Sequence, residues 1–547
     1  MRKTILVKDG ARLPAHEFCV LPAMLDRQAE EQGEKIFAAF DTGVKWTFKD
    51  AKREGRSTAA ALGKIGVRRG EPVLVWLPST EEIVRIHFGL SYLGAPFVPV
   101  NLALKGSSLE HIIVNSGARK IICHAQLIDR LDIIGLGALD TVVVIGGEAR
   151  EIEGLTVLTA NALDGDETDY VTPSPAIQPW ETHGIFYTSG TTGPSKGVLC
   201  PHVHTAIMGA THLRHLEGED RFLINIPYSH IGAALVLYGA LVHGVSVAMI
   251  KDFRTNDFLD EVKELNATSC FLLGAHSTFL TKREPSDEDC RNPLKQVIQI
   301  PMSGDTPAFS KRFGLNIHTV IDMTEMGPAI MSDILDIGKQ MPLGFCGRKH
   351  DYWARFDVRL VDENDVEVPV GNAGELTVRC DMPWVITPGY HNNPEATAKA
   401  WRNGWFHTGD VLRRDEDGNY FFVDRIKDSL RRRGENISSA ELEGEILKYS
   451  KVADVAAVAA KSDTGDDEVL VVIQPKSTEL IDLEDLTNFL IPRLPHYMVP
   501  RYIRIIEKMP YTSTNKVQKS SLREDGITDD TWDREKAGIQ VRRQIVG

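Results

Sequence analysis

The first half of the chain alternates short, almost continuously apolar runs with segments whose apolar residues recur at helical spacing. Pro72 to Leu77 reads as a buried strand and Thr80 to Leu93 as a helix. Phe97 to Val100, Lys120 to Cys123 and Thr141 to Ile145 read as further strands, with a helix near Leu109 to Val114. The rhythm returns with strands at Phe222 to Ile226, Ser246 to Ile250 and Cys270 to Leu273, and helices through Leu235 to Leu241 and up to Leu265. Strands without polar alternation are buried on both faces, so they predict parallel sheets covered by helices on each side. From about residue 350 to 424 the pattern changes. Asp357-Val358-Arg359-Leu360-Val361 and Glu375-Leu376-Thr377-Val378-Arg379 alternate polar and apolar positions, with a turn at Asp362-Glu363-Asn364-Asp365. That alternation predicts antiparallel hairpins or a small barrel.

The C-terminal part predicts a separate α+β unit: a helix at Ser439 to Leu447, strands at Val452 to Ala459 and Glu468 to Ile473, a helix at Leu483 to Leu490, then the proline-punctuated stretch Pro492 to Pro500. Residues after Leu522 are strongly charged and poorly patterned, and read as a peripheral tail. The expected fold is α/β: a large N-terminal domain of doubly wound sheets plus a small β-barrel region, and a smaller mobile α+β C-terminal domain. At 547 residues the chain exceeds what one ordinary core supports.

Composition narrows the chemistry. A hydrophobic content of 42% with 25% charged residues is that of a soluble globular protein. The formal net charge of -14 argues against a general nucleic-acid binder, so any anionic ligand must be held by local donors. Seven scattered cysteines form no Cys-x-x-Cys pair, which makes reduced structural thiols and a cytoplasmic location the expectation. No secretory signal and no membrane-spanning run is expected.

The run Thr188-Ser189-Gly190-Thr191-Thr192-Gly193-Pro194-Ser195-Lys196-Gly197 follows the apolar stretch Gly184 to Tyr187. Small hydroxyls and close-approaching backbone amides offer many donors without bulk, which suits a polyphosphate. It is not a Walker loop, because Ser195 stands where the second glycine belongs. The run resembles the phosphate loop of the acyl-adenylate-forming superfamily of acyl-CoA synthetases, adenylation domains and luciferase. Further segments match in order: Ile321-Asp322-Met323-Thr324-Glu325, Gly404-Trp405-Phe406-His407-Thr408-Gly409-Asp410, Asp424-Arg425-Ile426-Lys427-Asp428 with Arg433-Gly434-Glu435-Asn436-Ile437, and Pro510 to Lys516. Tyr420 to Arg425 and Arg433 to Ser438 look most like the crotonobetaine/carnitine- and fatty-acid-type CoA ligases.

The resemblance implies ATP, Mg2+ and coenzyme A as cofactors or co-substrates and a small carboxylic acid as substrate. It implies an N-terminal domain over 1–424, a hinge at 425–427 around Lys427 and a C-terminal domain over 428–547. Thr188 through Lys196 would hold the β- and γ-phosphates, Thr324 the α-phosphate, Glu325 the metal, and Asp410 the ribose with help from Arg425. Gly304, Asp305, Thr306, Ile321 and Asp322 would flank the adenine or the acyl group. Lys516 would place its charge between the attacking carboxylate and the α-phosphate. Arg433 and Gly434 would face coenzyme A, and His230 would border the acyl pocket and thiol channel. A homodimer is common among such enzymes. The other histidines, including His202, His204, His212 and His215, have no metal-ligand spacing, and the role of His276 is open.

Some positions depart from the family pattern. Ile321 replaces an aromatic and Asp322 a glycine; Asn515 replaces a glycine beside Lys516; Asp305 and Thr306 replace small apolar residues. Asp322 invites two readings: a preference for a polar or cationic acyl group, or a local turn or cap. An AMP-forming acid:CoA ligase is the expected function. The alternatives are an adenylating enzyme that loads a carrier protein, a luciferase-like oxygenase and a non-catalytic nucleotide-binding relative.

Overall fold

The computed structural model describes residues 13–188, 194–302, 305–342, 344–425, 430–432, 435–437, 439–461, 467–476, 480–494, 496, 498–512 and 516–541. Two parallel-rich sheets form the core of the N-terminal lobe. The first runs Thr156–Thr159, Thr141–Ile145, Lys120–His124, Val73–Trp76, Phe97–Pro99, Thr182–Thr188, Lys196–Pro201, parallel except for its last pair. The second runs Asn316–His318, Gln296–Ile300, Ser269–Leu273, Arg221–Ile224, Ser246–Met249, Ile36–Phe40, Lys45–Thr47, with the same exception. Val73–Trp76 and Ser246–Met249 are buried at every residue, which is why they show no alternation.

One apolar core unites residues of both sheets with the helices Glu81–Leu93, His202–His212 and Ile231–His243. The last of these is buried from Ile231 through Leu241. It crosses His202–His212 at Gly209 and Gly239. A Cβ on Gly209 would come within 2.2 Å of the Leu235 carbonyl oxygen, and one on Gly239 within 2.5 Å of the Gly209 oxygen. Backbone therefore packs directly on backbone at this crossing.

The antiparallel sheet runs Val320–Met323, Met326–Met331, Phe345–Lys349, Asn419–Arg425, Trp405–Arg414, Ala373–Cys380, Phe356–Val361. It begins at Val320, earlier than alternation suggests, because Met326–Met331 is buried throughout and carries no polar face. Thr324 and Glu325 form the turn between its first two strands.

In the C-terminal lobe Val452–Lys461, Asp467–Pro475, Tyr502–Ile505 and Trp532–Asp533 form a four-stranded sheet, packed against Ser439–Ile446 and Leu483–Leu490. The segment after Leu522 is thus not a peripheral tail. Trp532 and Asp533 supply the edge strand, Arg501 Nη2 lies 3.3 Å from Asp533 Oδ2, and Arg534 is buried with Nε donating to the Pro500 carbonyl. Its ties to the sheet run to Arg501 and Pro500, more than thirty residues away, so local patterning gives no sign of order. Asp424 ties the lobes together, its carboxylate accepting from the Ser439 amide at 2.7 Å and hydroxyl at 3.1 Å. Lys519 Nζ donates to that hydroxyl at 2.6 Å and pairs with Glu443 at 2.8 Å. Among the described residues no helix is long and apolar enough to cross a membrane.

Candidate active site

Thr188 and Lys196 face each other across the antiparallel pair that closes the first sheet, so residues 189–195 form the connection between two strand ends. Ser189, Gly190, Thr191, Thr192 and Gly193 lie outside the described residues, as do Gly304, Lys427, Arg433 and Gly434. The Lys196 ammonium sits 4.6 Å from the centre of the Tyr390 ring. The Tyr390 hydroxyl donates to Glu325 Oε1 at 2.8 Å. Glu325 is buried in its turn, and burial raises its carboxyl pKa while the Tyr390 hydroxyl, Lys196 and Arg425 pull it down. The turn is held from outside: His204 Nε2 lies 3.0 Å from the Thr324 carbonyl and Nδ1 2.7 Å from that of Val385, while the Thr387 amide donates to the Glu325 carbonyl.

Asp410 lies opposite Arg425 on neighbouring antiparallel strands, with Arg425 Nε 3.0 Å from Asp410 Oδ1. Burial raises the Asp410 carboxyl pKa, and Arg425 and Lys516 oppose it. Glu375 fixes the bend before Asp410, accepting from the Gly409 amide at 3.1 Å and contacting His407 Nδ1 at 2.8 Å and Arg402 Nη2 at 3.0 Å. Gly409 has a φ of +74°, a backbone setting that glycine adopts without strain.

Lys516 enters from the small lobe. Its amide donates to Thr512 Oγ1 at 3.2 Å and its carbonyl accepts from the Thr512 amide at 2.7 Å, a tight loop braced by a Tyr511–Val517 bridge and by the Tyr511 hydroxyl on Asp454. The residue as a whole is exposed, yet burial of its charged end lowers its pKa, helped by Arg425 and opposed by Asp410 and Asp322. His230 caps the helix Ile231–His243 by accepting from the Gly232 amide at 3.0 Å through Nδ1. Its other nitrogen is then the proton carrier of the neutral ring. The same surroundings depress the His230 pKa, with Lys516 adding to the effect and Asp322 opposing it.

Asp322 is the irregular residue of its strand, where register shifts between Ile321 and Met323. Its Oδ2 lies 2.9 Å from Nε2 of buried His212. Ile321 packs at the core edge, Thr306 is buried, and Asp305 is exposed at the start of the helix Thr306–Phe313. The fold thus gathers Lys196, Thr324, Glu325, Asp322, His230, Asp410, Arg425 and Lys516 around one cleft. Sequence reasoning missed Tyr390, His204, His212 and Glu375 as supports, since none stands near its partner in the chain.

A cationic lysine at a strand end, a buried carboxylate in a turn, a second carboxylate on a hairpin and a lysine from a separate lobe thus come together where the two lobes meet. Residues 25–391 match the family model of the AMP-binding enzyme, and residues 441–516 that of the AMP-binding enzyme C-terminal domain. The chain belongs to the AMP-binding enzyme family. It is similar to the crotonobetaine/carnitine–CoA ligase of Salmonella arizonae, 27% identical over 491 residues that cover 87% of this chain and 93% of that one. The crotonobetaine/carnitine–CoA ligase of Escherichia fergusonii is 26% identical over 523 residues, covering 92% and 98%. Among solved structures, the anthranilate CoA ligase AuaEII in complex with anthranoyl-AMP matches with a TM-score of 0.81 at 21% identity, covering 93% of this chain and 97% of that one. The O-succinylbenzoate coenzyme A synthetase of Bacillus subtilis, in complex with ATP and magnesium ion, gives 0.78 at 20% identity, covering 91% and 98%. At such identities the likeness is one of fold.

Proposed function

We propose that this chain is an ATP-dependent, AMP-forming acid:CoA ligase. A carboxylate oxygen attacks the α-phosphorus of ATP and pyrophosphate leaves, giving an acyl-adenylate. The thiol of coenzyme A then attacks the acyl carbon, AMP leaves, and a thioester remains. The first step needs charge neutralisation and in-line placement more than a protein nucleophile. Thr188 through Lys196 hold the β- and γ-phosphates, Thr324 the α-phosphate and Asp410 the ribose hydroxyls, with Arg425 fixing Asp410. Lys516 neutralises charge on the attacking and transferred oxygens, and His230 lies at the acyl end. Residues 1–424 form the larger domain and 428–547 the smaller, which turns about 425–427 near Lys427 so that Arg433 and Gly434 meet coenzyme A.

Among the described residues no group of three or more His, Cys, Asp or Glu side chains could hold a metal by itself. Glu325 instead offers one buried carboxylate, one of whose oxygens already serves Tyr390. A single hard ligand suits Mg2+ that arrives on the nucleotide phosphates. Such an ion would supply neutralisation of phosphate charge.

The observation that carries this reading is Lys516, a residue of the small lobe, in the field of Asp410, Asp322 and His230 of the large one. Acid-dependent ATP–pyrophosphate exchange, followed by AMP release with and without coenzyme A, tests it. Exchange with at least one acid and thioester formation with coenzyme A are expected. No AMP with any acid overturns the reading; exchange without coenzyme A turnover points to a carrier-protein thiol.

A further inference from the structure

The pair His212–Asp322 joins the last residue of the helix His202–His212 to the irregular strand Val320–Met323. His212 Nδ1 lies 2.8 Å from the Met208 carbonyl, which can only accept, so Nδ1 carries a hydrogen. Nε2 lies 2.9 Å from Asp322 Oδ2, a close charge contact without hydrogen-bond geometry. The two members differ in exposure: the His212 side chain is 0% exposed, wedged edge-on to Phe271 at 5.5 Å, whereas the Asp322 side chain is 17% exposed. The strand register shifts at Asp322, which leaves it without a regular partner in the ladder. Among the described residues its other oxygen, Oδ1, takes no hydrogen bond, and no cap or turn bond to it is made. Asp322 also stands near enough to His230 and Lys516 for its charge to act on both.

We propose that His212 and Asp322 read the acyl group, and that the acid activated by this chain carries a hydrogen-bond donor, a hydroxyl or primary ammonium, in place of a plain hydrocarbon end. The inference rests on the acid:CoA ligase reading. Asp322 accepts from the donor, and His212, fixed by the Met208 carbonyl, stands 2.9 Å behind the carboxylate. A hydrocarbon end would cover the open oxygen without replacing its water, a cost typical of a buried polar atom left unpaired.

The test is ATP–pyrophosphate exchange with acids of equal chain length ending in methyl, hydroxyl, primary ammonium or trimethylammonium, for wild type, Asp322→Gly and Asp322→Asn. Wild type is expected to show kcat/KM for the hydroxyl and ammonium ends roughly tenfold or more above the methyl end. Asp322→Gly collapses that ratio to within about threefold, with the change in KM for the acid. Asp322→Asn keeps an acceptor of the same size, so it retains the hydroxyl preference while losing part of the ammonium preference. It also serves as the folded comparison should Asp322→Gly fail to fold, judged by thermal unfolding with ATP. The proposal is overturned if the ranking is the same in wild type and Asp322→Gly, or if wild type uses the methyl end equally well. A preference for trimethylammonium alone also overturns it, because that group has no hydrogen to donate. No exchange with any of the four acids, or with any other acid, would instead defeat the ligase reading beneath it.

Discussion

Lys516 stands in a cleft whose walls depress its pKa while Asp410 and Asp322 raise it. Its charge is therefore set by neighbours that belong to the other lobe. Replacing it tests that dependence: Lys516→Ala should lower pyrophosphate exchange about 10²–10³-fold. The same variant should consume a synthetic acyl-adenylate with coenzyme A at nearly the wild-type rate, read by thioester release. At Glu325 the Tyr390 hydroxyl is the donor that offsets burial. Tyr390→Phe should raise KM for MgATP about tenfold, in line with a buried carboxylate losing one donor; steady-state kinetics at saturating acid reads it. Thr324, Glu325 and Asp410 were legible in the sequence because each lies in a contiguous run that resembles a family motif. Tyr390 and His204 were not, since each reaches its partner only through the fold. Asp322 was legible as a departure, but its partner His212 was not: nothing in a run of apolar residues tells which imidazole faces a distant carboxylate.

The elements of the site depend on supports just as remote. Glu375 grips the Gly409 amide, His407 and Arg402, and so sets the bend that presents Asp410. Glu375→Ala should raise KM for ATP about tenfold while changing kcat less, which distinguishes misplaced ribose contacts from a general loss of fold. The crossing at Gly209 and Gly239 is a second such element. Gly209→Ala puts a methyl group against backbone that cannot move aside, and should destabilise by about 1–3 kcal/mol, measured by thermal unfolding. Element recognition from sequence succeeded where burial leaves a signature: Thr141–Ile145 and Leu483–Leu490 appear with the expected bounds. It failed where the signature is erased. The hairpin from Val320 carries an all-buried strand, and Trp532–Asp533 is a two-residue edge strand whose Asp533 pairs with distant Arg501.

At the scale of the whole molecule, Asp424 fastens the last strand of the large lobe to Ser439, and Lys519 and Glu443 complete the chain of contacts. Asp424→Ala should slow adenylation several-fold relative to the thioester step, measured by single-turnover rates for each. The large lobe also buries a column of unprotonated imidazoles. His87 and His202 are held down to about 3 by burial, and His183 between them well below its usual value. Their ring centres lie 5.7 Å and 5.4 Å from that of His183. Unfolded histidine binds a proton near 6.5 and these do not, so the unfolded state gains protons first and stability falls as pH drops below about 6.5. Thermal midpoints should decline steadily from pH 7 to pH 5, and His87→Gln should flatten the slope.

Where Gly209 meets Gly239, main chain leans on main chain, and no exchange of side chains can enlarge or reshape that spot. Diversification of this scaffold toward new acids is consequently confined to the helix ends, where His212 and His230 stand. Substitutions that alter substrate choice should accumulate there and in the irregular strand beside His212, leaving the Gly209–Gly239 crossing unchanged.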